Sequence, residues 1–330
     1  MTTINELLNL KHTLRFNSNG EFKVMYLSDL HTKPAKKRMA TVRANIKALV
    51  DNEKPDLIIL NGDTAQMCQT TDQLKDLLSC IVDYFEEKKI PWAHAYGNHD
   101  DELYSHMTTA VSKEEQQKVY ESFAYCVSKD EKSLYGVGTC LLPVLGSSSD
   151  DVAFNIWCID SNTYLTKEEM EHYGVSYICD FIHQDQIDWY TETSSYLESY
   201  YGKKIYGVMN FHVPLPEHNA AWEERENYSY TGIRNEKVCH SQVNSGIFSA
   251  VLQQGDVKAI ICGHDHTNDF AVNYKGVLLC YSGMASVENS YIEERLGTRV
   301  VVVKESEPSH ITTYMSYINS PELIESIRSE

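Results

Sequence analysis

Five short motifs carry side chains able to grip cations, and they follow one another along the chain: Asp29-Leu30-His31, Gly62-Asp63, Gly97-Asn98-His99-Asp100, an isolated His212, and Gly263-His264-Asp265-His266. Their carboxylates, imidazoles and one amide are ligands for hard and borderline cations, the donor set of a two-metal site that activates water for hydrolysis. Each motif follows an apolar run that reads as a strand, so the polar groups should emerge at strand ends. Side chains two apart on an extended chain share a face, which lets Asp29 and His31 grip one ion together and places His264 and His266 on one side. Asp63 has two oxygens to share between ions, and Gly62 before it keeps the turn open. Asn98 offers a neutral amide oxygen. Taken singly, a Gly-Asp pair or a histidine near Pro214 is ordinary in turns and cores; the joint occurrence in one order points to chemistry.

The elements that must position these groups are legible as alternating patterns. Residues 22–27, 57–60, 92–96, 154–159, 205–211, 258–262, 277–281 and 299–303 read as strands. Leu74, Leu77, Leu78, Ile81, Val82 and Phe85 form the stripe of an amphipathic helix that Pro91 closes, and residues 36–51, 113–122, 184–200 and 245–253 also read as helices. This alternation predicts an α/β layered protein with its ligand groups at the carboxyl ends of strands. Two long aperiodic segments, 101–150 and 214–242, are expected to shape the rim of the site. In the second, Arg225, Tyr228, Tyr230 and Arg234 could clamp a phosphate and stack on an organic group, but read more simply as surface residues. His94, His183, His218 and His240 stand outside the motifs and are read as packed or surface residues, His94 as core.

The order of the motifs resembles that of the calcineurin-like metallophosphoesterase superfamily, DxH, GD, GNH[DE], H and GHxH. The resemblance implies a four-layer α/β/β/α sandwich of two mixed sheets flanked by helices. It further implies that Asp29, His31, Asp63 and His266 hold one metal and Asp63, Asn98, His212 and His264 a second. His99 would bind no metal and face the scissile phosphate as acid or transition-state stabiliser, with Asp100 orienting its ring. The implied reaction is hydrolysis of a phosphate ester by direct attack of a metal-bridging hydroxide. Pro91-Trp92-Ala93, the Pro214-Leu215-Pro216 that follows His212, Asn244-Ser245-Gly246 and Gly255-Asp256-Val257-Lys258 resemble the purple-acid-phosphatase-like branch related to the yeast dose-dependent cell-cycle regulator. Gln66 stands where purple acid phosphatases place a tyrosine, so no purple chromophore is expected. The expected cofactors are two divalent or trivalent ions, with Mn, Fe and Zn ahead of Co and Ni.

Composition bounds the rest. The 330 residues are 42% hydrophobic, enough for a sizeable core, and the motifs span most of the chain, which predicts one domain over residues 1–330. A net charge of −18 and a pI near 5.1 count against nucleic acid as substrate or partner. The basic run at 33–43 has Met39, Val42, Ile46 and Leu49 at helical spacing and reads as the wet face of a helix. Residues 1–22 offer no secretory apolar run, and no stretch approaches the ~20 apolar residues that cross a bilayer. A cytoplasmic protein without a membrane partner is therefore expected. Nine cysteines occur without a CxxC pair, and Cys158, Cys262 and Cys280 read as reduced core residues. Within enzymes the alternative is a phosphodiesterase acting on cyclic nucleotides or other small diesters. From another class comes a non-catalytic scaffold of the same fold, which predicts missing ligands, whereas every expected ligand is present.

Overall fold

The run Glu21–Leu27 buries Val24 and Tyr26 on one face and Met25 and Leu27 on the other, a pattern that only a strand covered on both sides can satisfy. In the computed structural model, which describes residues 3–34, 36–102, 109–177, 179–287 and 289–329 and the backbone alone for 36–38, both coverings are present. Parts of the basic run at 33–43 and of the expected rim at 101–150 lie outside the described residues.

Numbered along the chain, one sheet contains β2 (Glu21–Leu27), β3 (Leu57–Asn61), β4 (Trp92–Ala95), β12 (Gly297–Lys304), β13 (Ile311–Tyr317) and β14 (Ser326–Arg328), in the order β14-β13-β12-β2-β3-β4. The other contains β1 (Leu14–Arg15), β5 (Cys140–Leu145), β6 (Val152–Cys158), β7 (Gly207–Asn210), β8 (Tyr230–Thr231), β9 (Val257–Cys262), β10 (Ala271–Tyr274) and β11 (Val277–Tyr281), in the order β1-β5-β6-β7-β9-β11-β10-β8. Both sheets are mixed: β2, β3 and β4 are parallel while β12 opposes β2, and β6, β7, β9 and β11 are parallel while β5 opposes β6 but runs parallel to β1, and β10 opposes β11 and β8.

The sheets face each other through Val24, Tyr26, Leu57 and Ile59 on one side and Ile156, Cys158, Val208 and Ile261 on the other. The outer face of the first sheet is covered by α2 (Lys36–Glu53), α3 (Thr71–Lys88) and α4 (Lys113–Glu121). The outer face of the second is covered by α6 (Gln184–Tyr201), α7 (Pro216–Glu223) and α8 (Ile247–Gln254). This is the expected four-layer sandwich. The stripe of α3 buries Leu74, Leu77, Leu78, Ile81, Val82 and Phe85, Thr70 caps its start by accepting from the Gln73 amide, and Lys89 ends it in the left-handed region. All nine cysteines are free thiols, and Cys158, Cys262 and Cys280 are buried. His94 is core as expected, stacked on Tyr120 at 3.7 Å with both ring nitrogens engaged by Gln117 and Ser128. No helix among the described residues is long and apolar enough to cross a membrane.

Several elements escaped the sequence reading. The 101–150 segment holds β5, whose Pro143 disguises a wholly buried strand, and 214–242 holds α7 and β8. Short pieces, α1 (Ile4–Leu8) and α5 (Lys167–Tyr173), were also outside it.

Candidate metal centre

Parallel pairing of β2, β3 and β4 brings the segments after Leu27, Asn61 and Ala95 to one end of the first sheet. Pairing of β7 with β9 brings those after Asn210 and Cys262 to one end of the second. Asn61 joins the two ends. Its buried amide donates to the carbonyls of Phe211 and Ile261 at 3.3 Å and accepts from Asn210 at 3.0 Å, while its own carbonyl lies 2.9 Å from Nδ1 of His212. A buried amide with its partners in place fixes the spacing of the elements it links.

The ligand-bearing segments leave the strands before the candidate ligands begin. Asp29, His31, Asp63 and His264 have φ of 55°, 45°, 51° and 76°. The expectation that Asp29 and His31, or His264 and His266, share a face through strand periodicity is therefore corrected: left-handed backbone aims these side chains. Such residues cost about 1–2 kcal/mol each unless the surroundings enforce them. Around Asp63, Asp100 does so. Its carboxylate accepts from the amides of Asp63 (2.9 Å), Thr64 (2.9 Å), Ala65 (3.3 Å) and Gly97 (2.7 Å), and burial together with Asp63 pushes its pKa up to about 6. Asp100 thus holds the loops. The ring of His99 is held instead by Glu102, with Nδ1 2.5 Å from Oε2, which corrects the role expected for Asp100. Gly62 is required twice over, by its φ of 91° and because a Cβ there would strike the ring of His212.

All seven side chains converge. Asp29, His31 and His266 form one group and Asp63, His212 and His264 another, with the ligand atoms of each within 4.8 Å of one another. Nε2 of His31 and Nε2 of His266 face each other at 3.0 Å. Oδ2 of Asp63 and Nε2 of His212 face each other at 3.1 Å and have no hydrogen-bond partner among the described residues. Asn98 joins the second group, its Oδ1 2.8 Å from Nδ1 of His264 and its Nδ2 donating to Tyr164 Oη at 2.7 Å. Asp29 accepts from the His264 amide at 3.1 Å, so the two groups touch.

The electrostatics interlock. Burial pushes the Asp29 carboxyl up, but His212, His31 and His266 outweigh it and hold the group at about 2. Burial likewise opposes a proton on His212, yet Asp63 and Asp29 hold its pKa up at about 10. The carboxylates call for positive charge at this point, from a proton or from a cation. Buried, unpartnered oxygen and imidazole donors of this kind suit borderline cations such as Mn, Fe or Zn. His99 stands beside both groups, its amide donating to Asp63 Oδ1 at 2.8 Å. Burial works against protonation of its ring, but Asp63 and Glu102 raise the pKa above the ordinary imidazole value.

A model of the calcineurin-like phosphoesterase family matches residues 22–268, the stretch that carries every motif. The chain belongs to the calcineurin-like phosphoesterase family. Among its relatives, "Probable inactive purple acid phosphatase 14" of Arabidopsis thaliana is 29% identical over 89% of this chain and 77% of its own length. "Phosphatase DCR2" of Saccharomyces cerevisiae is 26% identical over 82% of this chain and 49% of its own length. A solved dimetal phosphatase from Danio rerio superposes with a TM-score of 0.58 at 10% identity, covering 93% of this chain and 98% of that one, a likeness of fold.

Glu102, Tyr164 and Asn61 are residues of this candidate centre that motif reading missed. The carboxylate three residues past His99 was the available signal for Glu102; no local pattern announced the other two. Arg225 and Arg234 are engaged elsewhere, Arg225 over Trp222 at 4.5 Å and Arg234 with Glu223 at 2.5 Å.

Proposed function

We propose that this phosphoesterase is a hydrolase dependent on two cations that cleaves phosphate esters of small molecules or phosphoproteins. The observation that carries the reading is the convergence of Asp29, His31, Asp63, Asn98, His212, His264 and His266, with Asp63 and His212 buried and facing each other without a hydrogen bond. Asp29, His31, Asp63 and His266 would hold one ion, and Asp63, Asn98, His212 and His264 the other. Bound there, the ions would acidify water and neutralise charge on the phosphoryl group.

The chain's own residues supply the rest. The Asn61 carbonyl accepts a hydrogen bond from Nδ1–H of His212, which keeps the proton there and leaves the Nε2 lone pair for a metal, and Tyr164 turns the Asn98 amide so that its oxygen faces the same way. Glu102 holds Nδ1 of His99, which directs Nε2 outward to donate a proton or hydrogen bond to the ester. A phosphate-ester substrate is in keeping with the family and with that placement, and the charge of −18 argues against nucleic acid as a partner.

The test is hydrolysis of para-nitrophenyl phosphate and bis-para-nitrophenyl phosphate by chelated protein refilled separately with Mn, Fe, Zn, Co and Ni, alongside elemental analysis. Metal-dependent turnover supports the reading, and the ratio of the two substrates ranks monoester against diester chemistry. The word "inactive" in the plant relative's name makes the opposite result informative. A chain that takes up no metal would overturn the proposal in favour of a scaffold.

A further inference from the structure

The loop that carries Asn98 and His99 has a second side. Asp101 lines a cavity of about 480 Å³ together with Lys113, Glu114, Tyr135, Tyr164 and Asp180. Tyr164 stands where this cavity meets the metal-binding groups, since it lines the cavity and its hydroxyl accepts from Asn98 Nδ2 at 2.7 Å. Thr163 ties the same margin to the loop by donating to Asp101 at 2.5 Å. The cavity therefore begins one side chain away from the candidate ligands, and its size suits a small organic group. A larger cavity of about 670 Å³ lies among Glu21, Ser147, Lys304 and Glu305, at the opposite ends of the strands. Position rather than volume singles out the first.

The charges of the lining favour some occupants over others. Lys113 is 7% exposed and its Nζ lies 3.0 and 2.9 Å from the two carboxylate oxygens of Asp160, so its charge is neutralised in place. Asp101, Glu114 and Asp180 also line it, Asp180 lying 3.0 Å from Nε2 of His183, and the Tyr135 ring, one face of which stacks on His183 at 3.7 Å, adds an aromatic surface of the kind that attracts cations. We infer that this cavity receives the alcohol portion of the phosphate ester, and that it selects uncharged or cationic alcohols against those bearing a second phosphate. The inference rests on the hydrolase reading for the placement of the phosphate. A second phosphate in the cavity would meet Asp101 and Glu114, while Lys113 is held by Asp160 and His183 by Asp180, an unfavourable juxtaposition of like charge.

The experiment uses the full chain refilled with Mn and runs two measurements side by side. Turnover of para-nitrophenyl phosphate reports on the hydrolase reading. Calorimetric binding of phosphocholine, glycerol 3-phosphate and fructose 1,6-bisphosphate reports on the cavity, for the native chain and for Glu114→Lys and Tyr135→Lys, both at exposed positions. The expected result is that the first two esters bind at least ~10-fold more tightly than the bisphosphate, and that each lysine variant narrows that ratio by ~3-fold or more. Equal binding of all three in the native chain overturns the inference, as does a ratio that neither variant moves. Turnover with a flat ratio sinks the cavity assignment alone, whereas the expected ratio without turnover sinks the hydrolase reading and leaves the cavity as a binding site.

Discussion

The two groups of candidate ligands are built differently. In the group of Asp63, Asn98, His212 and His264, a hydrogen bond aims each of three side chains: the Asn61 carbonyl at His212, Tyr164 at Asn98, and the His99 amide at Asp63. In the group of Asp29, His31 and His266, Nδ1 of His31 is buried with no hydrogen-bond partner among the described residues, and the His266 side chain is 17% exposed. Asp29 is aimed by the backbone of His264, which belongs to the other group. One group is braced by hydrogen bonds of its own, and the other is confined by packing and leans on its neighbour. An imidazole whose second nitrogen is fixed has its tautomer and direction set before a metal arrives; one without such a partner must pay that ordering on binding.

The severest way to break this comparison is to remove the residue common to both groups. Asp63→Asn is expected to empty both groups by elemental analysis and to lower turnover by on the order of 10³-fold; loss of one ion alone would mean that the groups do not share Asp63. His99→Ala probes a side chain outside both groups, so both ions should remain while kcat falls by ~10²–10⁴-fold. Loss of metal in that variant would show that His99 is itself a ligand. Tyr164→Phe removes one brace and keeps the ring. It should weaken one ion by about 10–100-fold and spare the other, and in the native chain a graded chelator titration should release the ions in two steps, the braced one last. A single step, or equal weakening of both ions, would dissolve the distinction between the groups. The smallest effect is expected for Glu102→Gln, with full metal content and turnover down about 10-fold, because the ring of His99 stays in place but loses a carboxylate partner.

Residue type carried most of the site into the sequence. A histidine or aspartate announces its donor atom wherever it lies, so Asp29, His31, Asp63, Asn98, His212, His264 and His266 could be picked out by motif alone. What could not be read was how they are aimed. The left-handed backbone at Asp29, His31, Asp63 and His264 replaces the strand periodicity that the spacing suggested, and Asp100 serves the loop amides that this backbone exposes while Glu102 takes the histidine. Asn61 and Tyr164 act across long sequence separations, on His212 and Asn98, and such pairings have no local pattern. The layers followed from apolar runs in β2, β3, β9 and β11 and from the stripe of α3. Pro143 hid β5. In β13 the alternation of Ile311, Thr313, Met315 and Tyr317 was a usable signal, weakened by a buried threonine that reads as polar.

Asn61 has a further consequence. Because one amide stitches the seam between the sheets and the carbonyl of the same residue steers His212, the centre has no foldon of its own. Local opening at Gly62 and Asp63 would require the seam to part, so the Asp63 amide should exchange its hydrogen only as fast as the whole protein unfolds. On heating, such a protein should keep its geometry until the cooperative transition and lose site and fold at one temperature.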